Sequence, residues 1–189
     1  MHHLKKFVPL LMILGSLGAL VTGVGFLRPP EQAARCTIVV RAPIEQVFQP
    51  LAKLSSWGDW HEDFQGLRAA PARDGLPTFA LDGLLGERTF TIVRADEPYE
   101  LHLRVDGPLL SGTWDFQLCT VGAGTEVLVT EHGAVDGPFQ RGLHLFVDPN
   151  DAFAELFEAL GARVEAPIYV ERCEVTPEQV AAERALADE

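Results

Sequence analysis

Cysteine is scarce in this chain: Cys36, Cys119 and Cys173 stand far apart and outside any CxxC arrangement. Such spacing signals neither a zinc knuckle nor a disulfide scaffold, and isolated, partly buried thiols are the plain reading. A single disulfide stays open only for a domain that folds in an oxidising compartment. Basic residues are also few. Fifteen Lys and Arg face 27 Asp and Glu, for a formal net charge of −12. Lys5, Lys6, Arg28 and Arg35 fall in the first 35 residues against Glu31 alone, so the remainder carries about −15. Phosphate binding needs a concentrated basic surface, which argues against nucleic acid as a partner and against a broad basic membrane-docking face. Missing too are a Gly-rich phosphate loop after a strand, a GxSxG elbow, an HExxH pair and any Cys/His pair in a motif context. These absences disfavour an ordinary nucleotide enzyme or serine hydrolase. No motif asks for a cofactor or a metal.

Apolar residues are plentiful, at 47% of 189 residues, enough for one ordinary domain with a substantial core. Part of that content forms one block. Phe7 to Leu27 is an uncharged run of 21 residues, which at about 1.5 Å rise per residue matches the hydrocarbon thickness of a bilayer. The run exceeds a signal-peptide core and ends without a small-x-small cleavage site, so a single-pass anchor is expected rather than a cleaved signal. Lys5 and Lys6 ahead of it favour a cytoplasmic N-terminus and an extracytoplasmic domain, although Arg28 and Arg35 pull the other way. Pro29 and Pro30 form a stiff spacer. The expected organisation is therefore an anchor and spacer over 1–30, a domain over 36–164 and a tail over 165–189.

Within the domain, Cys36 to Arg41 is short, β-branched and bounded by Pro43, as a first strand would be. Pro43 suits a first helical turn, and Ile44, Val47, Phe48 and Leu51 give the stripe of a helix packed on one face, ended or bent by Pro50. Ser55 to Phe64, with Trp57 and Trp60 three apart, predicts a short second helix, and residues 65–77 read as loop or irregular edge structure. Period-two strands follow at Thr78 to Leu81, Arg88 to Ala95, Tyr99 to Asp106, Ser111 to Thr120 and Thr125 to His132, forming an antiparallel meander with one buried face. Beyond Pro138 the period becomes helical. Phe153, Leu156, Phe157, Leu160 and Val164 make an apolar stripe, interrupted upstream by Asp148-Pro149-Asn150. Ile168 to Val175 reads as extended, and Thr176-Pro177-Glu178-Gln179 as a capping box opening a short Ala-rich helix. The class is α+β, ordered β-α-α-β(5)-α, with room for an apolar cavity between sheet and last helix.

Several segments in that order carry a resemblance: Arg41-Ala42-Pro43-Ile44-Glu45-Gln46-Val47-Phe48, Trp57-Gly58-Asp59-Trp60-His61, Gly112-Thr113-Trp114-Asp115-Phe116, and Gly124-Thr125-Glu126-Val127 followed by Thr130-Glu131-His132-Gly133. Residues 36–164 resemble the START-like, or SRPBCC, superfamily, in particular its polyketide cyclase/dehydrase-like branch. The resemblance implies the helix-grip fold, an antiparallel sheet wrapped around a long C-terminal helix, and a cavity for a hydrophobic small molecule or lipid. Some such proteins carry lipids, sterols or polyketides and others catalyse cyclisation or dehydration. Trp57, Trp60, Trp114, Phe116, Glu131, Phe153 and Phe157 are the candidate ligand-binding residues. Glu131 continues the alternation Val127, Val129, so it points to the apolar face, where its pKa should rise unless a partner compensates. It is read either as a ligand anchor or acid/base, or as a structural carboxylate paired with an Arg or a backbone N–H. His61, beside Asp59, Glu62 and Asp63, is a weaker catalytic candidate, because an exposed helix end gives the same composition. His102 falls on a polar strand face and reads as solvated. The leading expectation is a membrane-tethered, non-catalytic binding module. A cyclase- or dehydratase-type enzyme and an accessory domain docking a protein are the alternatives.

Overall fold

The computed structural model describes residues 4–83, 86–108, 110–143 and 149–173, with side chains described over 15–83, 86–108, 110–143 and 151–170. A helix, α1 (Leu4–Phe26), covers the N-terminal apolar run. Among the described residues no helix is long and apolar enough to cross a membrane, and the leading part of α1, up to residue 14, is described in its backbone alone. The capping-box segment Thr176 to Gln179 lies outside the described residues.

The first strand, β1 (Glu31–Val40), starts earlier than its β-branched core suggested, because the chain already pairs with a later strand from Glu31 onward. Its alternate residues Ala34, Cys36, Ile38 and Val40 are buried. In α2 (Ile44–Ala52) the expected stripe Ile44, Val47, Phe48 and Leu51 is buried throughout, and the helix ends two residues after Pro50. The expected second helix is instead two 3-10 turns, Leu54–Asp59 and Glu62–Phe64, interrupted at Trp60 and His61. Trp57 fixes the first turn: its Nε1 donates to Pro50 O at 3.1 Å and Leu51 O at 3.0 Å, satisfying carbonyls that α2 leaves open at its C-terminal end.

Of the two readings of residues 65–77, edge structure is the one that forms. They contain an edge strand, β2 (Arg68–Arg73), joined to β3 (Leu76–Gly83) by Asp74 and Gly75, both with positive φ (55° and 78°), as the two-residue hairpin turn requires. Pro71 is tolerated because β2 is an edge that needs no further ladder. The meander continues through β4 (Gly86–Asp96), β5 (Glu100–Asp106), β6 (Ser111–Val121) and β7 (Gly124–Ala134). Two helices follow, α3 (Pro138–Leu143) and α4 (Pro149–Arg163), then a last strand, β8 (Ile168–Cys173). Pro149 opens α4, a position where its missing N–H costs nothing.

Among the described residues, the eight strands lie in one sheet, ordered β2-β3-β4-β5-β6-β7-β1-β8, and every pairing is antiparallel. One face is the core. Ile38, Leu101, Leu103, Phe116, Val127 and Val129 bury against α2 and against Phe153, Leu156, Phe157 and Leu160 of α4. The architecture is the α+β arrangement of sheet and last helix that the sequence pattern implied.

Candidate functional site

Glu131 is the polar exception in this core. Its place in β7, two residues beyond Val129, turns the side chain inward, and it is only 4% exposed. The partner strand supplies what it lacks. Trp114 of β6 sits directly across the ladder, and its indole Nε1 donates to Glu131 Oε2 at 2.6 Å. Burial pushes the Glu131 pKa up, while the Trp114 hydrogen bond and the positive field of Arg88 pull it back.

Arg88 is the residue that sequence reasoning overlooked. It begins the inward alternation Arg88, Phe90, Ile92 of β4, a period-two signal that was present but read only as a strand boundary. Its guanidinium carbon lies 5.2 Å from the centroid of the Phe90 ring and 5.9 Å from that of Phe64. Burial lowers its pKa, against the fields of Asp63 and Glu131. An arginine nonetheless stays charged, so the labile proton of the pair belongs to Glu131. Among the described residues none hydrogen-bonds the Arg88 guanidinium.

Around this pair the aromatic side chains form a chain of ring contacts. Trp57 meets Phe64 at 4.8 Å between centroids, Phe64 meets Phe90 at 5.6 Å, Phe90 meets Trp114 at 5.6 Å and Trp114 meets Phe153 at 5.2 Å. The structure thus gathers Trp57, Trp114, Phe153 and Glu131. Phe116 and Phe157 lie deeper, ring against ring at 6.4 Å, two residues further along β6 and one helical turn further along α4. Trp60 is half-buried beside Trp57, and among the described residues its buried Nε1 has no acceptor.

His61 is buried rather than sited on an exposed helix end. Its Nδ1 accepts the Asp63 N–H at 3.1 Å and caps the second 3-10 turn, which leaves the ring proton on Nε2, while Asp59, Glu62 and Asp63 are exposed. His102 pairs through Nδ1 with Asp115 on the opposite face of the sheet, and Thr113 Oγ1 donates to the same carboxylate at 3.2 Å. Among the described residues no group of His, Cys, Asp and Glu is arranged to hold a metal ion. Cys36 is buried in the core and Cys119 is an exposed thiol, whereas the side chain of Cys173 lies outside the described residues.

Residues 32–165 match a family described as polyketide cyclase / dehydrase and lipid transport. The chain belongs to this family. Solved structures of the same fold include the Zhui aromatase/cyclase from Streptomyces sp. R1128, with a TM-score of 0.58 and 15% identity over 71% of this chain and 94% of that one. A START superfamily protein from Mycobacterium smegmatis gives a TM-score of 0.55 and 18% identity over 70% and 97%. An HSP90 activator from Plasmodium falciparum gives 0.56 and 13% over 72% and 99%. No curated protein matches the chain. The roles of these neighbours span a cyclase and an HSP90 activator, so membership in the polyketide cyclase / dehydrase and lipid transport family establishes the fold without selecting a reaction.

Proposed function

We propose that this member of the family binds a hydrophobic small molecule or lipid between the sheet and α4. Its polar end would lie at Glu131, Trp114 and Arg88, and α1 would tether it to a membrane. One observation carries the binding reading: a carboxylate 4% exposed inside an aromatic interior, held by an indole N–H and lying in the positive field of a guanidinium that no described residue hydrogen-bonds. Burying such groups costs several kcal/mol, on the order of 2–7 for a polar group without compensation, so a site that retains them has a use for their polarity. A ligand headgroup carrying both a donor and an acceptor would satisfy the pair. The tether reading rests on the uncharged run Phe7 to Leu27, and Lys5 and Lys6 ahead of it favour an extracytoplasmic domain, against the pull of Arg28 and Arg35.

The cyclase or dehydratase reading has one specific support. A carboxyl with a raised pKa keeps its proton above the pH at which an ordinary glutamate loses it, and can deliver that proton to a bound substrate. Native mass spectrometry of gently purified protein tests the binding reading directly: a co-purifying small molecule in the wild type that is reduced in Glu131→Gln supports it. A protein that retains nothing, and takes up neither fatty acids nor aromatic polyketides when offered them, would refute it. A mass change in the offered molecule would turn the conclusion to catalysis.

A further inference from the structure

The exit of α1 is not a free linker. A Cβ on Gly25 would lie 1.6 Å from the Pro138 carbonyl oxygen, and one on Gly142 would lie 2.0 Å from the Val21 carbonyl oxygen. The last two turns of α1 and the short helix α3 therefore touch backbone to backbone, and only glycine fits at either point. Small residues of this kind let helices approach closely in lipid, where packing replaces the hydrophobic effect as the associating force. Two hydrogen bonds extend the joint: Arg141 Nη1 donates to Arg28 O at 3.1 Å, and the Val135 N–H donates to Pro30 O at 2.9 Å.

The joint stands at one particular end of the domain. It clasps the segment between β7 and α4. Glu131 lies three residues before β7 ends, and Phe153, in the first turns of α4, touches Trp114. The turn between β6 and β7, with the exposed Val121, is at the opposite end of the same strands, about 30 Å away for an eleven-residue strand. Around the joint the apolar side chains face outward: Phe26 is 70% exposed, Leu27 86% and Phe139 44%. Leu17 and Leu20 continue that surface along α1.

We propose that α3 rides in the bilayer together with the end of α1. The glycine-mediated joint then holds the Glu131 end of the domain down on the lipid, and the ligand is an amphiphile taken from the bilayer rather than from water. The occupant of the patch is lipid, because the exposed Phe26 and Leu27 are continuous with the apolar run of α1 and Phe139 is fixed beside them by the backbone contact. The inference rests on the tether reading above.

Site-directed quenching tests it on the full chain in phosphatidylcholine/phosphatidylglycerol liposomes. In a Cys119→Ser, Cys173→Ser background, an environment-sensitive fluorophore at Phe139→Cys should be quenched severalfold by brominated phosphatidylcholine, and the same fluorophore at Val121→Cys should not. Gly142→Leu, and independently Gly25→Leu, should lower the quenching at position 139 severalfold and slow uptake of a pyrene-labelled fatty acid from vesicles, with carbonate resistance retained. A carbonate-resistant chain whose position 139 stays in water overturns this inference and leaves the tether standing. A chain that carbonate extracts overturns both. Unchanged quenching in both glycine variants, each folded by circular dichroism, would show that the joint does not set the orientation.

Discussion

Glu131 couples the core to pH. Its carboxyl is pushed up by burial, so between the ordinary glutamate value and the raised one the folded state holds a proton that the unfolded chain has lost. The folded state then binds more protons, and stability is greatest at and below the ordinary glutamate value and falls as pH rises through the raised value. Glu131→Gln keeps the oxygen that accepts from Trp114 Nε1 and removes the titration, so its denaturant midpoint should vary less over that window than the wild type's. Parallel pH series of urea melts check this, and an identical pH slope in both proteins would mean that Glu131 does not titrate in the fold. Trp57→Phe is a second test at this scale. It leaves Pro50 O and Leu51 O without their shared indole donor, and should cost about 1–3 kcal/mol even though the ring volume is largely kept. Equal stability of the variant by chemical denaturation would deny Trp57 its role at the end of α2.

At the scale of elements, legibility followed the strength of the local period. The α2 stripe and the inward alternation of β5, β6 and β7 could be read because each burial face repeats cleanly over several residues. β2 could be read no further than as loop or irregular edge structure, since its side chains are nearly all exposed and Pro71 sits within it; the sharper signal was the Asp74-Gly75 turn, which marks a hairpin even where the flanking strand is polar. The helix expected over Ser55 to Phe64 failed for another reason. Its aromatic residues are held by tertiary contacts, Trp57 under α2 and Phe64 against Phe90, rather than by a continuous helical ladder. In the candidate site, Glu131 was legible from alternation alone. Arg88 was not, because nothing in a single strand tells which cross-sheet neighbours a long side chain will reach. On α4, Phe157 is fully buried against Phe116, so Phe157→Ala should lower stability by about 3–5 kcal/mol in a denaturant titration. A loss under 1 kcal/mol would mean that the space beside Phe116 is already open.

For the whole molecule, the core begins at Ala34 and β1 at Glu31, so removing residues 1–27 should leave a chain that folds with the circular dichroism of the full domain and elutes without detergent. Retention of that truncated chain in carbonate-washed membranes would place the membrane contact in the domain itself. The position of β1 carries a further consequence, for the order in which the chain becomes itself during synthesis. β1 is the first strand made, yet its partners are among the last: Glu31 pairs with Ala134, Val40 with Thr125, and its other edge with β8. Contacts so distant in sequence slow folding, since loop closure must precede the pairing that rewards it. At a ribosome the meander from β2 to β6 can form while β1 waits, an unpaired strand beside the newly made α1. The nascent domain therefore exposes one long strand edge until β7 emerges, and a chaperone acting on it has its window during synthesis of residues 41–134.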